Sequence, residues 1–487
     1  MLTGLKAHHP TKVNPLQVKM DRLTNTSLIC LLFISIGVIA CSDDNGRDNN
    51  DTAQDRVLFS VSGEELVSVD DMVTESTSSN VEYAQQEDLD LLEQSRNDLL
   101  SAAQDLSDRY SGGNGTYNRN VFYKIVTLNY LSIDGKGNPI TLSGKLTLPM
   151  VGGKYIPIED ILLHCHATDL DMTGKGVSPN SFKGMAAYSF AVIDPDYIGF
   201  GVTYEKPQTY LCHKLIARQC VDMELAAIEY MKSLGIELKE GYGTYVLGYS
   251  QGGGNSMAVG RHLQETDHGL EANKTINVKG LYCGAGPYSP IGTFQHWLES
   301  DSLSFSGVLS MVIKGQQEGH SDIMAGTNLL DYFSQDYLES GIPQAFETNS
   351  MSNIAQLLIG DLNLQTIRYP EPAVKTPYDL CLILPWMQFS KIMSPAFADP
   401  QSSMRLALLE CLSEEAVDDW VPNMPVEIYT APRDNVIPVK ENAYSTYQKF
   451  RDAGAPDVTL SLAGDLANHI TGQLAWVNHV KLILKNL

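Results

Sequence analysis

Positive charge is in short supply: 34 Lys and Arg stand against 58 Asp and Glu in 487 residues, a net charge of −24 and a pI near 4.8. A surface this acidic repels phosphate backbones and anionic headgroups, so nucleic acid is excluded as an expected partner. Long hydrophobic runs are also scarce. The apolar stretch from Leu28 to Ala40 falls short of the roughly 20 residues a membrane-spanning helix needs. Cysteine is sparse, with eight residues and no Cys-x-x-Cys pair or zinc-type spacing, so neither a metal nor a cofactor is expected. What remains is 43% hydrophobic and 19% charged, which excludes a disordered chain and a polytopic membrane protein.

The N-terminus runs against the acidic trend, with Lys6, Lys12, Lys19 and Arg22 ahead of the Leu28–Ala40 stretch. That stretch ends in Val38-Ile39-Ala40-Cys41, which resembles the lipobox of bacterial lipoproteins. The resemblance implies that residues 1–40 are a signal peptide, with Met20 an alternative start, and that Cys41 is lipidated. It also implies a cell-envelope location as an outer-membrane lipoprotein held to the membrane by its lipid. Ser42-Asp43-Asp44 is similar to an acidic surface-export tag of such lipoproteins, which would put the protein on the cell surface. Cys30 leaves with the signal. The remaining six (Cys165, Cys212, Cys220, Cys283, Cys381, Cys411) are scattered, and their spacing selects no disulfide connectivity. Cys165 and Cys283 lie in apolar runs and read as small buried hydrophobes.

Residues 41–84 read as an acidic tether, led by the polar run 42–54. Leucines at 89, 92, 99, 100 and 106 then recur at helical steps, predicting a helical arm within 85–117. Beyond it, Val121–Ile133 and Ile140–Leu148 flank Asp134-Gly135-Lys136-Gly137-Asn138-Pro139, a hairpin signal. Strand candidates then alternate with helices: Ile161–His164, Phe190–Ile193, Tyr245–Gly248, Val278–Cys283, Val426–Tyr429 and Val458–Leu462. That alternation predicts an α/β fold, a mostly parallel sheet with helices on both faces, over 118–286 and 423–487. Between them, residues 287–422 show helical faces and no convincing strand, and predict a helical cap or lid insertion.

The chemistry gathers at strand ends. Gly248-Tyr249-Ser250-Gln251-Gly252 is a Gly-x-Ser-x-Gly motif between a strand and a helix. Ser250 must sit on a sharp turn to lift its hydroxyl above the sheet, and only very small residues fit two places before and after it, at Gly248 and Gly252. A serine hydroxyl needs a base, and the base needs an orienting acid. His469, in the loop after the last strand, is the candidate base, whereas His479 lies inside the terminal helix. Asp434, just past Val426–Tyr429, is the candidate acid, with Asp465 as its competitor. His164-Cys165-His166 invites a metal reading, but two ligands on a strand imply no third, and no metal site is assigned.

The order Ser250, Asp434, His469 and its strand–turn–helix setting resemble the α/β-hydrolase superfamily across residues 118–487, nearest to the secretory lipase and esterase group. Asp194-Pro195-Asp196-Tyr197-Ile198-Gly199-Phe200-Gly201 is similar to that group's D-Y-x-G-x-G loop. His164-Cys165-His166-Ala167-Thr168 stands where the group carries its oxyanion loop, with Ala167 in place of the common Gly. The resemblance implies a Ser250–Asp434–His469 triad and an oxyanion hole from the backbone N–H groups of Gln251 and of Ala167 or Thr168. It implies an exported serine carboxylesterase or lipase that cleaves an acyl ester through an acyl-enzyme. The alternatives are a serine peptidase of the same fold and a non-catalytic surface binding lipoprotein. Aromatics of the insertion (Phe294, Trp297, Phe305, Tyr332, Phe333, Phe346, Trp386) are expected to line the acyl side of the cleft, favouring acyl groups longer than acetyl.

Overall fold

Ten strands hydrogen-bond into one sheet in a computed structural model that describes residues 59–78, 86–112, 116–169, 182–265, 275–303, 307–347 and 388–487. The expected signal peptide, Cys41, Cys381, Phe305 and Trp386 lie outside the described residues. No helix among the described residues is long and apolar enough to cross a membrane.

The strands are β1 (Phe59–Ser68), β2 (Val121–Ile133), β3 (Pro139–Val151), the two-residue β4 (Lys154–Tyr155), β5 (Asp160–Cys165), β6 (Phe190–Pro195), β7 (Thr244–Tyr249), β8 (Val278–Gly284), β9 (Val426–Thr430) and β10 (Val458–Leu462). They lie in the order β1-β2-β3-β6-β5-β7-β8-β9-β10, with β4 paired to β3. The pairings from β6 through to β10 are all parallel; β1, β2 and β3 add an antiparallel edge, and β3 meets β6 antiparallel. β7 therefore sits centrally, between β5 and β8.

Every residue of β7 is buried, because both faces of the sheet are covered. Tyr245, Leu247 and Tyr249 face a cluster with Phe182, Trp476 and Val480. Val246 faces the opposite cluster, which includes Met223 and Met257. Except for Phe182, those partners lie on the long helices α3 (His213–Ser233), α4 (Gln251–Glu265) and, on the Tyr249 side, α9 (His469–Leu484). Burying each such large apolar side chain is worth about 1.5–3 kcal/mol, which holds the sheet between its helical layers.

The N-terminal part differs from the expected tether over 41–84. Residues Phe59–Ser68 form β1 and pair along nearly the whole of β2, and Val69–Ser78 form helix α1. The segment stays acidic, but it regains the apolar residues that 42–54 lacks. Val67, Val69, Met72 and Val73 are buried against Leu99, Ala103 and Leu106 of α2 (Gln86–Ser111). On β2 the odd-numbered Val121, Tyr123 and Ile125 face this N-terminal layer, whereas the even-numbered Val126, Leu128 and Tyr130 face the main core. One strand thus serves two cores through its period of two.

Between β8 and β9 the described residues form helices and turns, including α5 (Pro290–Ser300), α6 (Gly307–Gly319) and α7 (Ser403–Glu414). They enclose their own apolar cluster, which reaches the main domain through Phe200, Tyr210 and Leu211. The last two helices are α8 (Ser445–Asp452), after β9, and α9, which closes the chain.

Candidate active site

Ser250 sits between β7 and α4 with φ of 58°, a left-handed conformation that a non-glycine residue adopts only when its surroundings hold it there. Its N–H donates to Gly284 O at 2.8 Å, and its carbonyl accepts from the N–H groups of Gly253 and Gly254 at 2.9 and 3.2 Å. The flanking glycines are sterically required. A Cβ on Gly252 would collide with the Cys165 carbonyl of β5, and one on Gly248 with the Gly252 carbonyl.

His469 arrives from the far end of the chain as the first residue of α9. Asn468 caps that helix, accepting the N–H groups of Ile470 and Thr471 at 3.0 Å each, while Thr471 Oγ1 accepts the N–H of Asn468 at 3.0 Å. This reciprocal capping box fixes where the helix begins and so where the imidazole projects. Nε2 of His469 lies 2.9 Å from Ser250 Oγ and Nδ1 lies 2.7 Å from Asp434 Oδ2.

Asp434 stands in the turn after β9, with its side chain fully buried. Its Oδ1 accepts the N–H groups of Val436 and Ile437 at 2.9 and 2.8 Å, leaving Oδ2 for the imidazole. The turn is tied to the His469 loop, because Arg433 N–H donates to Ala467 O at 3.0 Å and Arg433 Nε to Asp465 O at 3.1 Å. Asp465 is exposed, and its part in the site is this backbone carbonyl. The fold therefore brings Ser250, His469 and Asp434 into one hydrogen-bonded series. In that arrangement the imidazole can take a proton from the serine while the carboxylate holds it in the required tautomer.

The loop after β5 borders the same end of the sheet. His166 is buried with its ring stacked on Tyr197, centroids 3.9 Å apart, and burial lowers its pKa, favouring the neutral ring. Its ring nitrogens lie 2.7 Å from Ala167 O and 3.3 Å from Asp196 O. His164 instead pairs with Asp194, Nδ1 to Oδ1 at 2.9 Å. The two histidines thus have separate partners. Thr168 Oγ1 is 2.8 Å from the Tyr210 hydroxyl, which anchors the loop that carries Ala167 and Thr168. A cavity of about 190 Å³ lies beside it, between His164, His166, Thr168, Phe182, Tyr249 and Trp476. Gln251 is the first residue of α4, and N–H groups in the first turn of a helix have no partner within it and point at the positive end of its dipole.

The 194–201 segment runs from the end of β6 into a tight loop. Asp196 Oδ2 accepts the Ser143 hydroxyl at 2.6 Å, and the loop turns through positive φ at Tyr197 (61°), Gly199 (102°) and Gly201 (54°). A Cβ on Gly201 would strike Ser143 and Asp196. Asp196 therefore shapes the loop.

The insertion aromatics require a correction. Phe294, Trp297, Tyr332, Phe333 and Phe346 are buried within the insertion's own cluster, where Phe294 meets Phe389 and Phe397 edge-on at 5.5 and 6.0 Å. A segment of this size needs a core of its own, and these side chains supply it rather than an acyl-binding wall. Sequence reasoning missed residues that fix the site: Tyr249, Arg433 and Asn468. Only Asn468 carried a sequence signal, the Asn-x-x-Thr of its capping box.

No protein-family model matches the chain, and no curated protein matches it. Solved structures do. The rice cell wall degrading esterase LipA from Xanthomonas oryzae is 18% identical and covers 88% of this chain and 98% of its own, with a TM-score of 0.58. An inferred hydrolase from Legionella pneumophila is 16% identical and covers 88% of this chain and 97% of its own, with a TM-score of 0.59. The fold is that of the α/β-hydrolases. At these identities the likeness is one of architecture, a mostly parallel sheet with helices on both sides.

Proposed function

We propose that the protein is an exported serine esterase of the lipase and esterase kind, with Ser250 as nucleophile, His469 as base and Asp434 as orienting acid. The observation that carries this reading is the Asp434–His469–Ser250 hydrogen-bond series on a strained elbow. Ser250 Oγ attacks the ester carbonyl as its proton passes to His469 Nε2. The oxygen of the tetrahedral intermediate takes the charge, held by the N–H of Gln251 and one from Ala167 or Thr168. The intermediate collapses, the C–O bond to the alcohol breaks, and His469 returns the proton to the departing alkoxide. Water, deprotonated by His469, then attacks the acyl-enzyme and releases the acid and free Ser250.

The ester preference leans on the esterase neighbour and on the absence from the sequence of a propeller domain or selective charged pocket of the kind a peptidase would use. Export and anchoring through Cys41 rest on the lipobox likeness alone, and Cys41→Ser should stop lipidation, leaving the protein with an uncleaved signal or released from the membrane fraction. A fluorophosphonate probe tests the central claim. Folded protein should label at Ser250 and turn over p-nitrophenyl esters, with peptide amides cleaved far more slowly. An unlabelled Ser250 would leave a non-catalytic binding protein, and preferred amide cleavage would leave the peptidase.

A further inference from the structure

Away from the proposed active site, three side chains capable of binding a metal converge from distant parts of the chain. Cys212 caps α3 of the sheet domain, His320 follows the C-terminus of α6, and Glu415 follows the C-terminus of α7. One ligand atom from each lies within 4.8 Å of those of the other two. Cys212 and Glu415 are buried, and the His320 side chain is 11% exposed. From this convergence we infer a structural zinc site, formed by Cys212 Sγ, His320 Nε2 and Glu415 Oε1, that clamps the α6–α7 segment to the sheet domain.

The donor set suits the ion. One thiolate, one neutral imidazole and one carboxylate are the borderline-soft mixture that Zn²⁺ takes. Their charges sum with the divalent ion to zero, which is what a site this buried requires. The surrounding groups are arranged as supports. Glu415 Oε2 accepts the N–H of Lys214 at 2.9 Å, which leaves Oε1 turned toward His320 Nε2 at 2.7 Å. The other imidazole nitrogen, Nδ1, faces Glu414 Oε2 at 3.8 Å, a carboxylate one step away from a hydrogen bond to a metal-bound ring. The Cys212 thiol points to Gly315 O at 3.3 Å on α6. On binding, the thiol proton leaves to solvent and the proton that His320 Nε2 donates to Glu415 Oε1 leaves that nitrogen, so that the ring keeps its one proton on Nδ1. The sulfur and Nε2 lone pairs then go to zinc as the His320–Glu415 hydrogen bond opens to admit the ion. A water completes the tetrahedron.

Sequence spacing gives no hint of the cluster, because 108 residues separate Cys212 from His320 and 95 separate His320 from Glu415.

The test uses untagged full-length protein, stripped with chelator, incubated with zinc chloride and desalted, with metal per chain counted by mass spectrometry. The expected result is one zinc per chain in the wild type and none in Cys212→Ser or His320→Gln. The Gln amide can still donate to Glu415, so the second variant should keep its circular dichroism spectrum. Ester hydrolysis should persist in both variants, and zinc should raise the melting temperature of the wild type alone. Cobalt in place of zinc should give a thiolate charge-transfer band that Cys212→Ser removes. A zinc-free wild type with a titratable Cys212 thiol would overturn the inference. So would equal zinc in wild type and variants.

Discussion

The hydroxyl of Tyr249 donates to the backbone carbonyl of His469 at 2.7 Å, joining the residue before the elbow serine to the first residue of the last helix. The ring itself is buried against Trp476 of the same helix, 5.5 Å between centroids. Ser250 and its hydrogen-bonded imidazole are thus set at a fixed distance by a contact beneath them.

Tyr249→Phe keeps the ring packing and removes that hydrogen bond. Stability should fall by about 1 kcal/mol, the worth of one net hydrogen bond. Freed to shift, the imidazole should be less well placed, so kcat should fall about tenfold with KM little changed. Urea unfolding and steady-state kinetics on one ester check both parts. A raised KM at constant kcat would assign Tyr249 to substrate binding instead.

Asp434→Asn should lower kcat by a factor on the order of 10⁴, because the amide favours the wrong imidazole tautomer. Asp465→Asn should leave kcat unchanged, since that residue contributes its backbone carbonyl. Kinetics of the two variants side by side decide the matter, and the reverse ranking would move the acid to Asp465.

Ser250→Ala and His469→Ala should each cost a factor on the order of 10⁶, and the double variant should cost no more than either. Additive losses would mean that the two residues act independently.

Lys481 on α9 is buried, and burial lowers its pKa from 10.5 to about 8. The unfolded chain therefore holds this proton more tightly than the folded one between pH 8 and 10.5, so its contribution to stability rises with pH across that window. Below pH 8 the folded state bears the full cost of a charged amine out of water. Lys481→Met should raise stability at pH 7 by about 2 kcal/mol, a gain that shrinks toward zero by pH 10.5. Denaturant unfolding of both proteins at pH 7, 9 and 10.5 would show it, and a pH-independent difference would refute it.

The central parallel strands β5, β6 and β7 were legible because each is a short apolar run buried on both faces, whereas the half-exposed β10 showed itself by the alternation Val458-Thr459-Leu460-Ser461-Leu462. Ser250, Asp434 and His469 could be picked out because each follows one of the parallel strands. β1 escaped notice for the opposite reason. An edge strand needs few buried side chains, and Phe59–Ser68 is mostly exposed, with Val67 its buried residue. Aromatic content in the insertion could not distinguish a binding wall from a self-contained core, since both need the same residues. The Cys212, His320 and Glu415 cluster depends on how the insertion folds back on α3, which no local pattern encodes.

The hydrogen bond between His469 and Ser250 spans 219 residues of chain. Asp434 and His469 reach the serine only after β9 and β10 have joined the growing edge of the sheet, and pairings this distant in sequence form late and slowly. A chain cut short before its final helix would hold its elbow serine without the imidazole. The Asp434–His469–Ser250 series would then be complete only once α9 has docked.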